Sequence, residues 1–178
     1  MGFQTPLYEL GEYLKWTTSG KIQLPDFQRS YKWEDERIRQ LLVTILRGHP
    51  LGVVMLLKTG NEQIRFKPRP IEGAIIEPGT PADSLLLDGQ QRLTSLTQAL
   101  TGDGVVNTMD GRGKKMMRRY YIDIELALQG DDRIDEAVLS VPGDGIERTN
   151  FGREIVRDVS TADKEREAGL FPFRLLYG

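Results

Sequence analysis

Leu85-Leu86-Leu87-Asp88-Gly89-Gln90-Gln91-Arg92-Leu93-Thr94-Ser95-Leu96-Thr97-Gln98-Ala99-Leu100 is the stretch that decides the fold. Three consecutive leucines before Asp88-Gly89 predict a short buried strand running into a tight turn. Leu93, Leu96, Ala99 and Leu100 then recur at helical spacing, so Gln90 to Leu100 reads as a helix with one face in the core, closed by Gly102 and Gly104. A strand that turns on a glycine directly into a helix has the geometry of a phosphate cradle. The first amides of a helix lack internal acceptors, and the helix dipole favours an anion beside them.

Working outward toward the amino terminus, Thr5-Pro6 predicts a helix start, with Leu7, Leu10 and Leu14 on one face up to Trp16. Ile22 to Trp33 reads as extended. Glu34, Asp35 and Glu36 then occupy the first turn of a second helix whose apolar stripe is Ile38, Leu41, Leu42, Ile45 and Leu46, stopped by Gly48 and Pro50. The apolar run Leu51 to Leu57 predicts a central strand covered on both faces, and Ile64-Arg65-Phe66-Lys67 and Ile71 to Glu77 predict two more. Toward the carboxyl end, Tyr120 to Leu126 alternates as a strand, while Asp131 to Leu139 and Lys164 to Ala168 read as short helices. The expected class is α+β, a mixed sheet flanked by helices. The apolar tail Leu170-Phe171-Pro172-Phe173-Arg174-Leu175-Leu176-Tyr177-Gly178 calls for a packing partner, which leads us to expect the amino-terminal part of a longer protein.

Composition narrows the chemistry. With 178 residues, 39% hydrophobic and 28% charged, the chain is sized for one folded domain spanning 1–178. It has no cysteine, which excludes disulfide scaffolds, cysteine-ligated metal centres and thiol catalysis. The sole histidine, His49, follows Arg47-Gly48 in a helix stop, which disfavours histidine-dependent hydrolysis. A net charge of −2 provides no global field for nucleic acid, so any DNA contact must be local. No apolar run approaches the roughly 18 residues a bilayer requires, and the start lacks signal-peptide grammar, so a cytoplasmic location is expected.

Four constellations carry possible chemistry. Asp88-Gly89-Gln90-Gln91-Arg92 combines a glycine, free amides and a guanidinium, with glutamines able to orient water; Asp88 could hold Mg2+ or simply cap the helix. In Asp26-Phe27-Gln28-Arg29-Ser30-Tyr31-Lys32-Trp33, an extended backbone would place Phe27, Arg29, Tyr31 and Trp33 on one side, a pattern that can stack on a base; the same aromatics also read as core anchors. Arg112, Lys114, Lys115, Arg118 and Arg119 form a basic loop suited to DNA phosphates or to plain solvation. Asp123 and Glu125 fall on one face of the last predicted strand and could share a metal, although no lysine follows at nuclease spacing.

Leu24-Pro25-Asp26-Phe27-Gln28-Arg29-Ser30-Tyr31-Lys32-Trp33, followed by Leu87-Asp88-Gly89-Gln90-Gln91-Arg92-Leu93-Thr94-Ser95-Leu96, resembles the amino-terminal domain of GmrSD-type restriction proteins. These are DGQQR-motif members of the ParB/sulfiredoxin-like fold, and they include SspE-like proteins that sense phosphorothioate DNA. The resemblance covers roughly Leu7 to Leu126. It implies a nucleoside triphosphatase, using GTP or ATP with Mg2+, coupled to phage defence against DNA carrying phosphorothioate or glucosylated hydroxymethylcytosine. It assigns Asp88, Gln90, Gln91 and Arg92 to catalysis; on its residue chemistry Asp88 is the expected Mg2+ ligand. Gln28, Arg29 and Gly89 join those four in holding nucleotide, and Phe27, Tyr31 and Trp33 match aromatic positions that would shape a pocket or meet DNA. Lys114, Lys115 and Arg118 are expected to meet DNA on the charge of their loop, apart from the resemblance. Such proteins usually carry a histidine-rich HNH nuclease domain, which this chain cannot contain, so cleavage is expected from a partner domain in cis or in trans. Two alternatives stand beside this reading: a sensor that binds modified DNA at the same anion site without hydrolysis, and a ParB-like nickase.

Overall fold

The computed structural model describes residues 5–60 and 66–177. The deciding stretch folds as its pattern predicts: strand β4 (Ser84–Asp88) turns at Gly89 and enters α3 (Gln90–Leu100). Gly89 sits at φ 90°, ψ 9°, a left-handed conformation natural to glycine, and this permits the abrupt turn.

β4 is central in a four-stranded mixed sheet. It pairs in parallel with β1 (Ile22–Pro25) and antiparallel with β2 (Met55–Lys58), and the two-residue β3 (Pro68–Arg69) closes the far side of β1. A second, antiparallel sheet is built on the long strand β6 (Lys115–Asp123). Arg118 pairs with both Val106 of β5 (Val106–Met109) and Pro142 of β7 (Val138–Pro142), so these strands flank β6 on opposite edges, and β10 (Leu170–Pro172) follows β5 along its edge. Strands β8 (Ile146–Thr149) and β9 (Glu154–Asp158) form a separate hairpin.

Helices α1 (Leu10–Thr18), α2 (Asp35–Leu46) and α3 join the two sheets. Leu93 of α3 packs with Ile22, Leu24, Ile71 and Leu86, whereas Leu96, Ala99 and Leu100 pack with Ile38, Leu42, Val106, Tyr120 and Phe173. Because α3 faces apolar surface on both sides, its polar residues are buried too; Ser95, Thr97 and Gln98 Oε1 find internal partners, whereas Thr94 Oγ1 and Gln98 Nε2 have none among the described residues. Thr17 and Thr97 share a hydrogen bond at 3.0 Å, and Gln98 Oε1 accepts from the Asn107 amide at 2.9 Å. On the other face of β6, Tyr121 joins Val141, Val159 and Leu170, beneath the short α6 (Ala162–Glu167).

Several expectations are corrected. Helix α1 starts at Leu10 rather than after Thr5-Pro6: the Glu9 amide donates to the Glu12 carboxylate at 3.1 Å to close the first turn, and Leu7 is left 99% exposed. Of the apolar run Leu51 to Leu57 only residues 55–57 are strand, as part of β2 (Met55–Lys58), which lies at a sheet edge. The predicted strand 64–67 falls partly outside the described residues; Phe66 and Lys67 are not strand, and the chain pairs instead at Pro68–Arg69. Ile71 to Glu77 forms turns that bury Ile71 alone among its isoleucines. The extended reading of Ile22 to Trp33 holds only to Pro25, where the Gln28 amide closes a turn onto the Pro25 carbonyl at 3.1 Å.

The strand predicted over Tyr120 to Leu126 begins earlier, at Lys115, and stops at Asp123, whose carboxylate caps α4 (Ile124–Ala127) by accepting from the Leu126 amide at 3.0 Å. Asp123 and Glu125 therefore share no strand face. Asp131 to Leu139 resolves into a 3-10 turn at Asp131–Arg133, α5 (Ile134–Ala137) and the start of β7. The tail finds a partner within the chain: β10 pairs with β6, and Phe173 is fully buried. No helix among the described residues is long and apolar enough to cross a membrane.

Candidate functional site

Four long-range polar contacts join the two motifs. Gln28 Nε2 donates to the Leu87 carbonyl at 2.8 Å, and Gln90 Nε2 donates to the Arg29 carbonyl at 2.7 Å. The Lys32 amide donates to Gln91 Oε1 at 3.0 Å. Tyr31 and Ser95 are 2.8 Å apart; since Ser95 donates its own proton to the Gln91 carbonyl at 2.8 Å, the Tyr31 hydroxyl is the donor between them. Burial raises the Tyr31 phenol to about 12, which keeps this donor protonated at neutral pH.

An additional clamp comes from a residue outside both motifs. Arg69 donates through Nη2 to the carbonyls of Gln28 and Arg29, each at 3.2 Å, while its Nη1 is paired with Glu72 at 3.0 Å. The backbone at 28–29 is thereby held by Gln90 and Arg69, and the Arg29 side chain projects outward, exposed.

The predicted residues divide by what their side chains do. Gln90 is only 6% exposed, and together with Gln28 it serves as an internal tie. Arg92 turns away toward the loop before β2: Nη1 donates to the Leu51 carbonyl and Nη2 to the Val53 carbonyl at 2.7 Å. Asp88 is 72% exposed, with the Arg92 guanidinium 4.0 Å away. Gln91 contributes to a cleft of about 440 Å³ that is also lined by Arg29, Ser30, Lys32, Trp33, Glu34, Arg37 and Met109. Tyr31 and Trp33 pack against the helical core, while Phe27 is exposed and meets Phe66 edge-to-face at 4.9 Å. Lys114 and Lys115 are exposed near the β5–β6 turn, and Arg118 is half-buried beside Met116.

The cleft brings together Arg29, Lys32 and Arg37 against one carboxylate, Glu34. Among the described residues these three cations form no ion pair, and the free amide nitrogen of Gln91 adds a neutral donor. Such a pocket can hold a polyanion of nucleotide size. Sequence reasoning missed Arg37, Lys32 and Arg69 as contributors. Arg37 was legible only as a solvated position on α2, and Arg69 sits among prolines with no motif of its own.

The sequence matches the family model described as GmrSD restriction endonuclease, N-terminal domain, over residues 10–169. It is similar to an uncharacterized protein of Methanocaldococcus jannaschii, MJ0686, with 30% identity over 137 residues. That alignment covers 75% of this chain but only 23% of the relative's length. No solved structure matches the chain.

Proposed function

This chain belongs to the family of GmrSD restriction endonuclease N-terminal domains, and on that premise we propose that its cationic cleft binds a nucleoside triphosphate and hydrolyses it in response to modified DNA. The observation that carries this reading is the convergence of Arg29, Lys32, Arg37 and Gln91 on one cleft of nucleotide size, at the junction of the two motifs. Arg29 and Arg37 neutralise charge on the transferred phosphoryl group, and Gln91 Nε2 donates to a phosphate oxygen or to the attacking water. Gln28, Gln90 and Arg69 are positioning residues that set the backbone from which Arg29 projects. Arg92 acts one step further away, by fixing residues 51–53 beside the Gly89 turn.

Among the described residues no cluster of three or more metal-ligating side chains forms a self-sufficient metal centre. Magnesium commonly takes one or two carboxylates plus substrate phosphates, and the open Asp88 carboxylate supplies one hard oxygen of that kind. A Mg2+ ion would thus arrive with the triphosphate, with Asp88 as its protein ligand and charge neutralisation as its contribution. Strand cleavage belongs to an HNH-type nuclease domain acting with this chain.

The test is phosphate release from each of the four triphosphates, with and without duplexes carrying phosphorothioate or glucosylated hydroxymethylcytosine. An Arg29→Ala/Arg37→Ala protein is expected to lose at least roughly tenfold in nucleotide affinity, a factor equal to about 1.4 kcal/mol. Undiminished nucleotide binding in that variant removes the cleft from the account. Binding without phosphate release would make the chain a nucleotide sensor instead.

A further inference from the structure

The β5–β6 hairpin grows directly out of the cleft wall. Met109, the last residue of β5, lines the cleft, and its amide donates to the Trp33 carbonyl at 3.3 Å. The Thr108 hydroxyl donates to the same carbonyl at 2.6 Å, and Glu34 and Met109 form a parallel bridge. Beyond this root the hairpin ladder runs Thr108 opposite Met116 and Met109 opposite Lys115. Directly opposed residues project from the same face, so Lys115 leaves the sheet on the side of Met109.

The tip is held in shape from within. The Asp110 carboxylate accepts from the amides of Arg112 and Lys114, each at 2.9 Å, and the Gly113 amide donates to the Asp110 carbonyl at 2.9 Å. The single acid of the turn is thereby directed at backbone amides, while Arg112, Lys114 and Lys115 are exposed and, among the described residues, without ion pairs. On a chain of net charge −2 this is a local cationic projection, adjoining a cleft that carries three further cations.

We infer that the β5–β6 hairpin is a DNA-docking arm, taking the phosphate backbone of a duplex on Arg112, Lys114 and Lys115, and that its root transmits occupancy to the cleft through the Trp33 carbonyl. The choice of DNA rests on the restriction-domain reading above; the docking surface rests on charge and geometry. Thr108 is a positioning residue here. It touches neither DNA nor nucleotide, but ties the strand bearing the arm to the segment bearing Arg29 and Lys32. Movement of the arm on a duplex is thus carried to Trp33 and Met109, two residues of the cleft wall.

The experiment titrates a short fluorescent duplex against the whole chain across salt concentrations, and separately a fluorescent triphosphate with and without that duplex. An Arg112→Glu/Lys114→Glu/Lys115→Glu protein is expected to bind the duplex roughly 100-fold more weakly, with the salt slope reduced by about one for each phosphate no longer neutralised. Thr108→Val is expected to bind the duplex as the parent does, yet to lose the roughly tenfold change in nucleotide affinity that DNA induces; Thr108→Ser restores it. Equal duplex binding by the parent and the charge-reversed protein, or no duplex binding by the parent, overturns the docking arm. A Thr108→Val protein with the full response to DNA overturns the relay. If the parent binds duplex but no triphosphate, the cleft reading fails and the arm stands on the duplex titration alone.

Discussion

The Arg92 guanidinium donates to the carbonyls of Leu51 and Val53, and these hydrogen bonds determine what precedes β2. A carbonyl turned toward a guanidinium is unavailable to a neighbouring strand, so the apolar run from Leu51 does not extend the sheet until Met55. Gly52, at φ +87°, lies against the same guanidinium, and a Cβ there would overlap it. Arg92→Ala is expected to leave these carbonyls without their partner and to destabilise the fold by about 2 kcal/mol, lowering Tm by about 4–8 °C in a thermal melt. Gly52→Ala is expected to cost a similar amount, for both steric and backbone reasons, and the double variant should cost less than the sum because both changes disrupt the same interaction. The motif DGQQR was legible in the sequence as a helix start beside a tight turn. Which of its side chains face a ligand and which face the protein was not, since Gln90, Gln91 and Arg92 point in directions set by segments remote in sequence.

Among the elements, α3 and the carboxyl-terminal strand show how burial assigns roles. Helix α3 was readable to the residue, because its leucine spacing is strong and a glycine turn precedes it. Its burial on both sides was not readable, because Thr94, Ser95, Thr97 and Gln98 look like a solvated face until two sheets close over them. At the other end, Glu165 of α6 is only 4% exposed. It accepts from both terminal nitrogens of Arg174 at 3.0 Å and from the Tyr121 hydroxyl at 3.0 Å. This pair anchors the segment that follows β10. Arg174→Ala leaves a buried carboxylate with one neutral donor, and we expect about 3 kcal/mol of lost stability in urea unfolding. Arg174→Ala combined with Glu165→Gln should recover part of it, since the uncompensated charge is then gone.

At the scale of the whole molecule, three tyrosines tie separate layers together: Tyr31 between the first motif and α3, Tyr120 between β6 and the Asp35 carboxylate, and Tyr121 between β6 and Glu165. Burial raises all three phenols, Tyr31 and Tyr121 to about 12, and the neighbouring carboxylates push Tyr120 and Tyr121 further in that direction. In the unfolded chain a phenol releases its proton near 10, whereas the folded protein retains it. The folded state therefore binds more protons between pH 10 and 12, so stability should fall as pH rises through that window. Urea midpoints at successive alkaline pH values are expected to show this fall, with a shallower decline in Tyr31→Phe despite its lower stability at neutral pH. By itself the sequence determined the α+β class, the strand–turn–helix at Asp88-Gly89 and helix α2, because each is encoded by local hydrophobic period and turn chemistry. Only the tertiary structure decided that the apolar tail pairs with β6 and that Lys32 and Arg37 join Arg29 in one cleft. It also turned Gln28, Gln90 and Arg92 into ties between segments. Those outcomes depend on which distant backbone groups need partners once the layers close, and that demand leaves no period in the chain.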